Sequence, residues 1–79
     1  MNYQLEHWQR QDWQKGTRYY SCNLCQNLFG DWVVQRRWGR VSAPKGQSKE
    51  HACHSYEEGL SLVNAIAKRR EQRGYSNVS

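Results

Sequence analysis

Two periodicities divide the chain. From Tyr3 to Trp8 apolar and polar positions alternate, with Tyr3 and Leu5 set against Gln4 and Glu6. After the polar stretch Gln9 to Thr17, a second run from Arg18 to Gln26 alternates again. A period of two marks a strand with one buried face, so both runs are expected to be strands. In the second run Tyr20, Cys22 and Leu24 share the face assigned to the core, and Tyr19, Ser21, Asn23 and Cys25 take the other. Asn27-Leu28-Phe29-Gly30 reads as a turn into a third extended run, Asp31 to Arg40. Proline and glycine mark Ser42-Ala43-Pro44-Lys45-Gly46 as a loop, and Gln47 to His54 reads as a fourth strand.

From Ser55 the period becomes helical. Ser55 and Glu58 have capping-box spacing, and Glu57 and Glu58 suit the positive end of the helix dipole. Leu60, Val63 and Ala67, with Gly59, Leu62 and Ile66 beside them, form an apolar stripe for one face of a sheet. Arg73-Gly74-Tyr75 reads as a helix stop, with Gly74 left-handed and Tyr75 folding back. Lys68, Arg69, Arg70 and Arg73 then have a structural role at the negative helix end. Ser76 to Ser79 read as a frayed tail. The pattern predicts one small α+β domain over residues 1–79, its core in 3–75.

A chain of 79 residues buries only about 60% of the surface it exposes when unfolded. Its core must therefore be aromatic-rich, and ten aromatics are spread along it. A deep catalytic cleft is hard to build at this size, so no enzyme activity is expected. The net charge of +5 draws the molecule toward polyanions. Between Trp32 and Lys49 there is no acidic residue, while Arg36, Arg37, Arg40, Lys45 and Lys49 form a local basic footprint. No run approaches the length of a membrane span, and the N-terminus lacks a basic flank followed by an apolar segment. With an odd count of three cysteines, this points to a cytoplasmic, reduced protein with an aqueous anionic partner and no membrane.

The most specific chemistry lies in Trp38-Gly39-Arg40. In a strand Trp38 and Arg40 share a face, about 7 Å apart, which sets a flat apolar plate beside a cation. That pairing suits a nucleic-acid strand: a ring can lie on a base or sugar while arginine holds the neighbouring phosphate. Gly39 lets another backbone approach on the opposite face. The plainer reading is a half-buried strand tryptophan, a bulge and a solvated charge.

The cysteines raise a second possibility. Cys22 and Cys25 have metal-knuckle spacing, with His51, Cys53 and His54 as further ligands. In a regular strand, however, side chains three apart point to opposite faces, so no metal site and no cofactor are expected. Nothing orients His51 or His54 toward a cysteine nucleophile.

With these elements placed, the chain resembles a stand-alone bacterial-type WGR domain, the module named for the tripeptide Trp38 to Arg40 and known from poly(ADP-ribose) polymerases. Five landmarks occur in order: the Tyr20 strand, Leu28-Phe29-Gly30, the tripeptide, Lys45-Gly46-Gln47, and Ser55-Tyr56-Glu57-Glu58 leading to Arg73-Gly74-Tyr75. The resemblance implies an antiparallel sheet of about four strands with one C-terminal helix packed on one face. It implies binding without catalysis. In the polymerases the domain contacts DNA near a strand break, the motif tryptophan leaning on a terminal sugar while basic groups hold the backbone. Carried over, that role falls to Trp38, with Gly39, Arg40, Arg36, Lys45, Gln47 and Lys49 as the companion nucleic-acid-binding residues. Ser42 stands where glycine is common, Pro44 accompanies an extra loop residue, and Gly59 replaces a common alanine. The expected ligand is DNA at ends, nicks or single strands, bound by a monomer that serves an effector protein. The competing reading is an adaptor that recognises an acidic protein.

Overall fold

A computed structural model describes residues 3–43 and 45–79. The two longest strands, β2 (Arg18–Gln26) and β3 (Trp32–Arg40), pair along their whole length from Arg18 opposite Arg40 to Gln26 opposite Trp32. They join through the turn predicted at Asn27 to Gly30. There Asn27 Oδ1 accepts from the Phe29 and Asp31 amides, and Gly30 takes φ 80°. β1 (Gln9–Lys15) flanks β2, and β4 (Gln47–Ala52) flanks β3. β5 (Ser76–Asn77) adds to β1, giving an antiparallel sheet of order β4-β3-β2-β1-β5. The helix α1 (Tyr56–Gln72) packs on one face. The α+β class with a single C-terminal helix is as expected, with five strands rather than about four. Pro44 of the β3–β4 loop lies outside the described residues.

The departures lie at the two ends of the chain. Tyr3 to Trp8 is not a strand: Leu5–His7 forms a single 3-10 turn, and the first strand is the polar stretch Gln9–Lys15. A two-residue loop, Gly16-Thr17, fixes that strand against β2, with Lys15 opposite Arg18 and Gly16 at φ 60°. Its inward burden falls on Trp13 alone, 1% exposed, so alternation is too sparse to betray it. Nor is the tail frayed. Ser76 and Asn77 pair with Gln14 and Trp13, the Val78 amide donates to the Asp12 carbonyl, and the Asp12 amide donates to Ser79 Oγ at 2.7 Å. All are polar groups that leave no hydrophobic signature.

The core is built as the β2 pattern predicts. Tyr20, Cys22 and Leu24 meet Trp13 and Val34 from neighbouring strands and Val63 and Ile66 from α1. The buried helix positions are Gly59, Val63 and Ile66. Leu60, Leu62 and Ala67 sit at the margin, so the face is turned from the predicted Leu60-Val63-Ala67 line toward Gly59. The reason is close approach: a Cβ on Gly59 would lie 2.5 Å from Leu24 Cδ1. Ser55 caps the helix, its Oγ accepting from the Glu58 amide at 3.1 Å. The reciprocal bond shifts by one residue, because Glu58 accepts from the His54 amide instead.

Candidate functional site

Alternation along β3 sends Arg36, Trp38 and Arg40 to the helix side of the sheet, and the register places Tyr20 opposite Trp38. The indole is no free plate. It lies nearly parallel on Tyr20, centroids 5.8 Å apart at 14°, and is half-buried. Tyr20 is met edge-on by Trp13 and by Tyr75. Tyr75 is held there by the predicted helix stop: its amide donates to the Arg70 carbonyl and that of Gly74, at φ 84°, to the Glu71 carbonyl. The Lys15 ammonium donates to the Arg73 carbonyl at 2.7 Å and ties the helix end to β1.

Two arginines are built into this stack. Arg70 places its guanidinium carbon 4.1 Å from the Tyr20 ring centre and 5.1 Å from that of Tyr75. Arg36 donates through Nη1 to the Tyr20 hydroxyl at 3.0 Å and lies 5.6 Å from the Trp38 ring centre. Such contacts hold the cations without neutralising them.

Between the helix end and the β2–β3 pair lies a cleft of about 510 Å³, lined by Arg18, Arg36, Arg40, Arg69, Arg70 and Arg73 around Tyr20, Trp38 and Tyr75. No carboxylate lines it. Among the described residues none of these six arginines makes an ion pair; the pair present joins Arg10 and Asp12 at 3.2 Å on β1. Like charges face each other across strands at Arg18 and Arg40 and at Arg36 and Lys49, which destabilises the sheet. The Nε atoms of Arg36 and Arg70 are buried without a hydrogen-bond partner. Unmet charged donors and uncompensated repulsion both cost free energy, and the repulsion between Arg18 and Arg40, which line the cleft, is the part that an anion there would relieve.

Of the residues singled out from the sequence, the fold brings Arg36, Trp38, Gly39 and Arg40 to this cleft. Lys45, Gln47 and Lys49 stand exposed on the β3–β4 loop and on β4, with Gln47 opposite Trp38 and Lys49 opposite Arg36. Gly39 has the close-approach role expected of it, toward the chain's own backbone: a Cβ there would lie 3.0 Å from the Gly46 Cα. Gly46 in turn has no room for a Cβ against the Tyr19 hydroxyl and the Trp38 carbonyl. Arg18 and Tyr75 also line the cleft without a signal in the motif, and the helix-end arginines line it in addition to their place at the negative end of the dipole. A signal was available. The buried positions Gly59, Val63 and Ile66 step by four and three residues, and the next step of four is Arg70.

The thiols are not poised for chemistry. Burial pushes Cys22 up to about 11, against a smaller opposing pull from Arg36. Cys25 and Cys53 are also raised by burial, helped by Glu50 and Glu58 respectively. Cys22 belongs to the core under the helix, whereas Cys25 is buried on the other face of β2. His51 is held below the ordinary imidazole range by burial, then by Arg36 and Lys49.

The family model described as WGR domain matches residues 3–79. The chain belongs to the WGR family. A WGR domain is a non-catalytic module, and in proteins like the poly(ADP-ribose) polymerases it is generally a nucleic-acid-binding one. An uncharacterized protein of Sinorhizobium fredii, y4dW, is 36% identical over 59 residues. The match covers 75% of this chain but 28% of that protein, so it spans less than a third of that relative's length. No solved structure matches. Among the described residues no helix is long and apolar enough to cross a membrane.

Proposed function

We propose that this WGR domain is a non-catalytic DNA-binding module that takes the sugar-phosphate backbone of an end, a nick or a single strand into the arginine cleft. The observation that carries the reading is the set of six guanidinium groups without a carboxylate among them, arranged around Trp38, Tyr20 and Tyr75. Trp38 offers its remaining surface to a sugar or base. Arg36 and Arg70, locked against rings, supply charge at fixed positions, and the exposed Arg18, Arg40, Arg69 and Arg73 reach for successive phosphates. Gly39 shapes the strand so that the loop at Gly46 can close on it. Lys45 on the β3–β4 loop and Lys49 on β4 extend the basic track, with Gln47 between them as a polar contact. The module acts as a cytoplasmic monomer that delivers an effector protein to DNA, without a cofactor.

The test separates stacking from charge. Trp38→Ala should weaken binding by about 1 to 3 kcal/mol while leaving its salt dependence unchanged, since no charge is lost. Arg18→Gln, Arg40→Gln, Arg69→Gln and Arg73→Gln should each flatten the slope of log affinity against log salt. The change per lost phosphate contact is about 0.9 on duplex DNA, or about 0.7 on single strands. Titrations of nicked, blunt and single-stranded oligonucleotides by fluorescence anisotropy give both quantities. If the parent binds none of these at low salt but binds an acidic polypeptide, the cleft is a carboxylate-recognition site and the protein an adaptor.

A further inference from the structure

The opposite end of the sheet has the reverse chemistry. Three stretches meet there, residues 3–9, 24–34 and 50–58. The Tyr3 hydroxyl lies 3.0 Å from the carbonyls of both Asn27 and Leu28, and the Gln4 amide and Trp8 Nε1 donate to Gln26 Oε1. Val33 pairs with Ala52, and the Cys53 amide donates to the Trp32 carbonyl. These stretches carry Glu6, Asp31, Glu50, Glu57 and Glu58, five of the seven carboxylates, and none of the twelve lysines and arginines. In a protein of net charge +5, the described residues of these three stretches thus carry acidic groups without a lysine or arginine among them.

Large apolar side chains stand in water at that same end. Leu28 is 82% exposed, Phe29 78%, Leu5 63% and Tyr3 44%. A groove of about 600 Å³ runs among Tyr3, Leu5, Trp8, Leu28, Gln35 and Glu50. The turn that presents Leu28 and Phe29 is fixed from three sides, by the two bonds to Asn27 Oδ1, by the left-handed Gly30 and by Gln26 Nε2 donating to the Gly30 carbonyl at 3.0 Å. A fixed backbone that presents two apolar side chains to solvent adds nothing to the core, yet it lowers the ordering cost of a binding event.

We infer that this end is a docking surface for a protein segment that carries large apolar side chains next to lysine or arginine. Glu50 in the groove and the other carboxylates of this end select the occupant: they repel nucleic acid and attract a cationic segment, while the groove and the Leu28-Phe29 turn take the apolar side chains. The arginine cleft is at the far end of the same strands, so both surfaces can be filled at once. The proposal stands on this end alone and does not require the cleft to bind DNA.

The probe is a phage-displayed library of random short peptides selected on the full chain, with the enriched peptides then synthesised and titrated by amide chemical shift. Enriched sequences should combine large apolar residues with lysine or arginine and move the amides of Leu5, Trp8, Leu28, Phe29 and Glu50, leaving Arg70 and Tyr75 in place. Leu28→Ser and Phe29→Ser, both at exposed positions that leave the core intact, should each weaken these peptides about tenfold or more. Asp31→Lys should weaken them at low salt only. The inference is overturned by failure of the library to enrich, by enrichment of acidic peptides that shift the cleft residues, or by affinities unchanged in both serine variants. Concentration-dependent self-association that Phe29→Ser abolishes would give the surface to a second copy instead.

Discussion

At the residue scale, glycines and cysteines report how tightly the molecule is packed. Gly59 lacks the side chain that would favour a helix, by about 1 kcal/mol relative to alanine, because its backbone meets Leu24, which is fully buried and has no room to move. Gly59→Ala should therefore lower stability, by about 1 kcal/mol after the gain in helix propensity is offset by overpacking. Urea unfolding checks this, and a more stable variant would show that α1 can lift from the sheet. Cys22 gives a pH prediction. Its thiol titrates near 9.0 in the ordinary state and is raised by burial to about 11 in the fold. Between these values the unfolded chain releases the proton and the folded chain keeps it. The stability is thus complete below pH 9 and falls as pH rises toward 11. The urea midpoint should drop through that window in the parent and drop less in Cys22→Ala; equal slopes would remove burial of Cys22 as the cause.

At the scale of elements, the chain shows which signals survive in a small basic domain. β2, β3, the Gly30 turn, the Ser55 cap and the Gly74 stop were all legible, because each rests on a local rule: alternation, a left-handed glycine or a side-chain cap. β1 was not, since one buried tryptophan in seven residues makes no pattern, although the Gly16-Thr17 hairpin loop could have marked it. β5 was illegible in principle, being two polar residues whose pairing depends on where β1 lies. The same limit applies to the cleft. Its motif half lies on one strand and could be read, whereas Arg18, Arg70 and Tyr75 join it only through the register of β2 and the angle of α1. Because β5 and the bonds to Asp12 tie down the tail, deleting residues 76–79 should cost about 1 to 2 kcal/mol. Hydrogen exchange on the Val78 amide and the denaturation midpoint of the truncated chain test it; an unchanged midpoint would mean the tail contributes nothing.

At the scale of the molecule, the charges are sorted by end. The strands run from an anionic, apolar end at the Asn27 turn to a cationic, aromatic end at the WGR tripeptide, and the helix lies over them with Glu57 and Glu58 at its start and Arg69, Arg70 and Arg73 at its finish. This arrangement agrees with the helix dipole and reinforces it. It also gives the protein a direction in an electric field, so that a polyanion approaches the Trp38 end first. Whether the cleft built by β2, β3 and the end of α1 receives DNA is decided by an amide chemical-shift titration of the folded protein with a nicked oligonucleotide at low salt. If DNA enters the cleft, shifts concentrate on Arg18, Tyr20, Trp38 to Arg40 and Arg69 to Tyr75, with Leu28, Phe29 and Glu50 unmoved. Shifts centred on the turn end, or none at all, would contradict it.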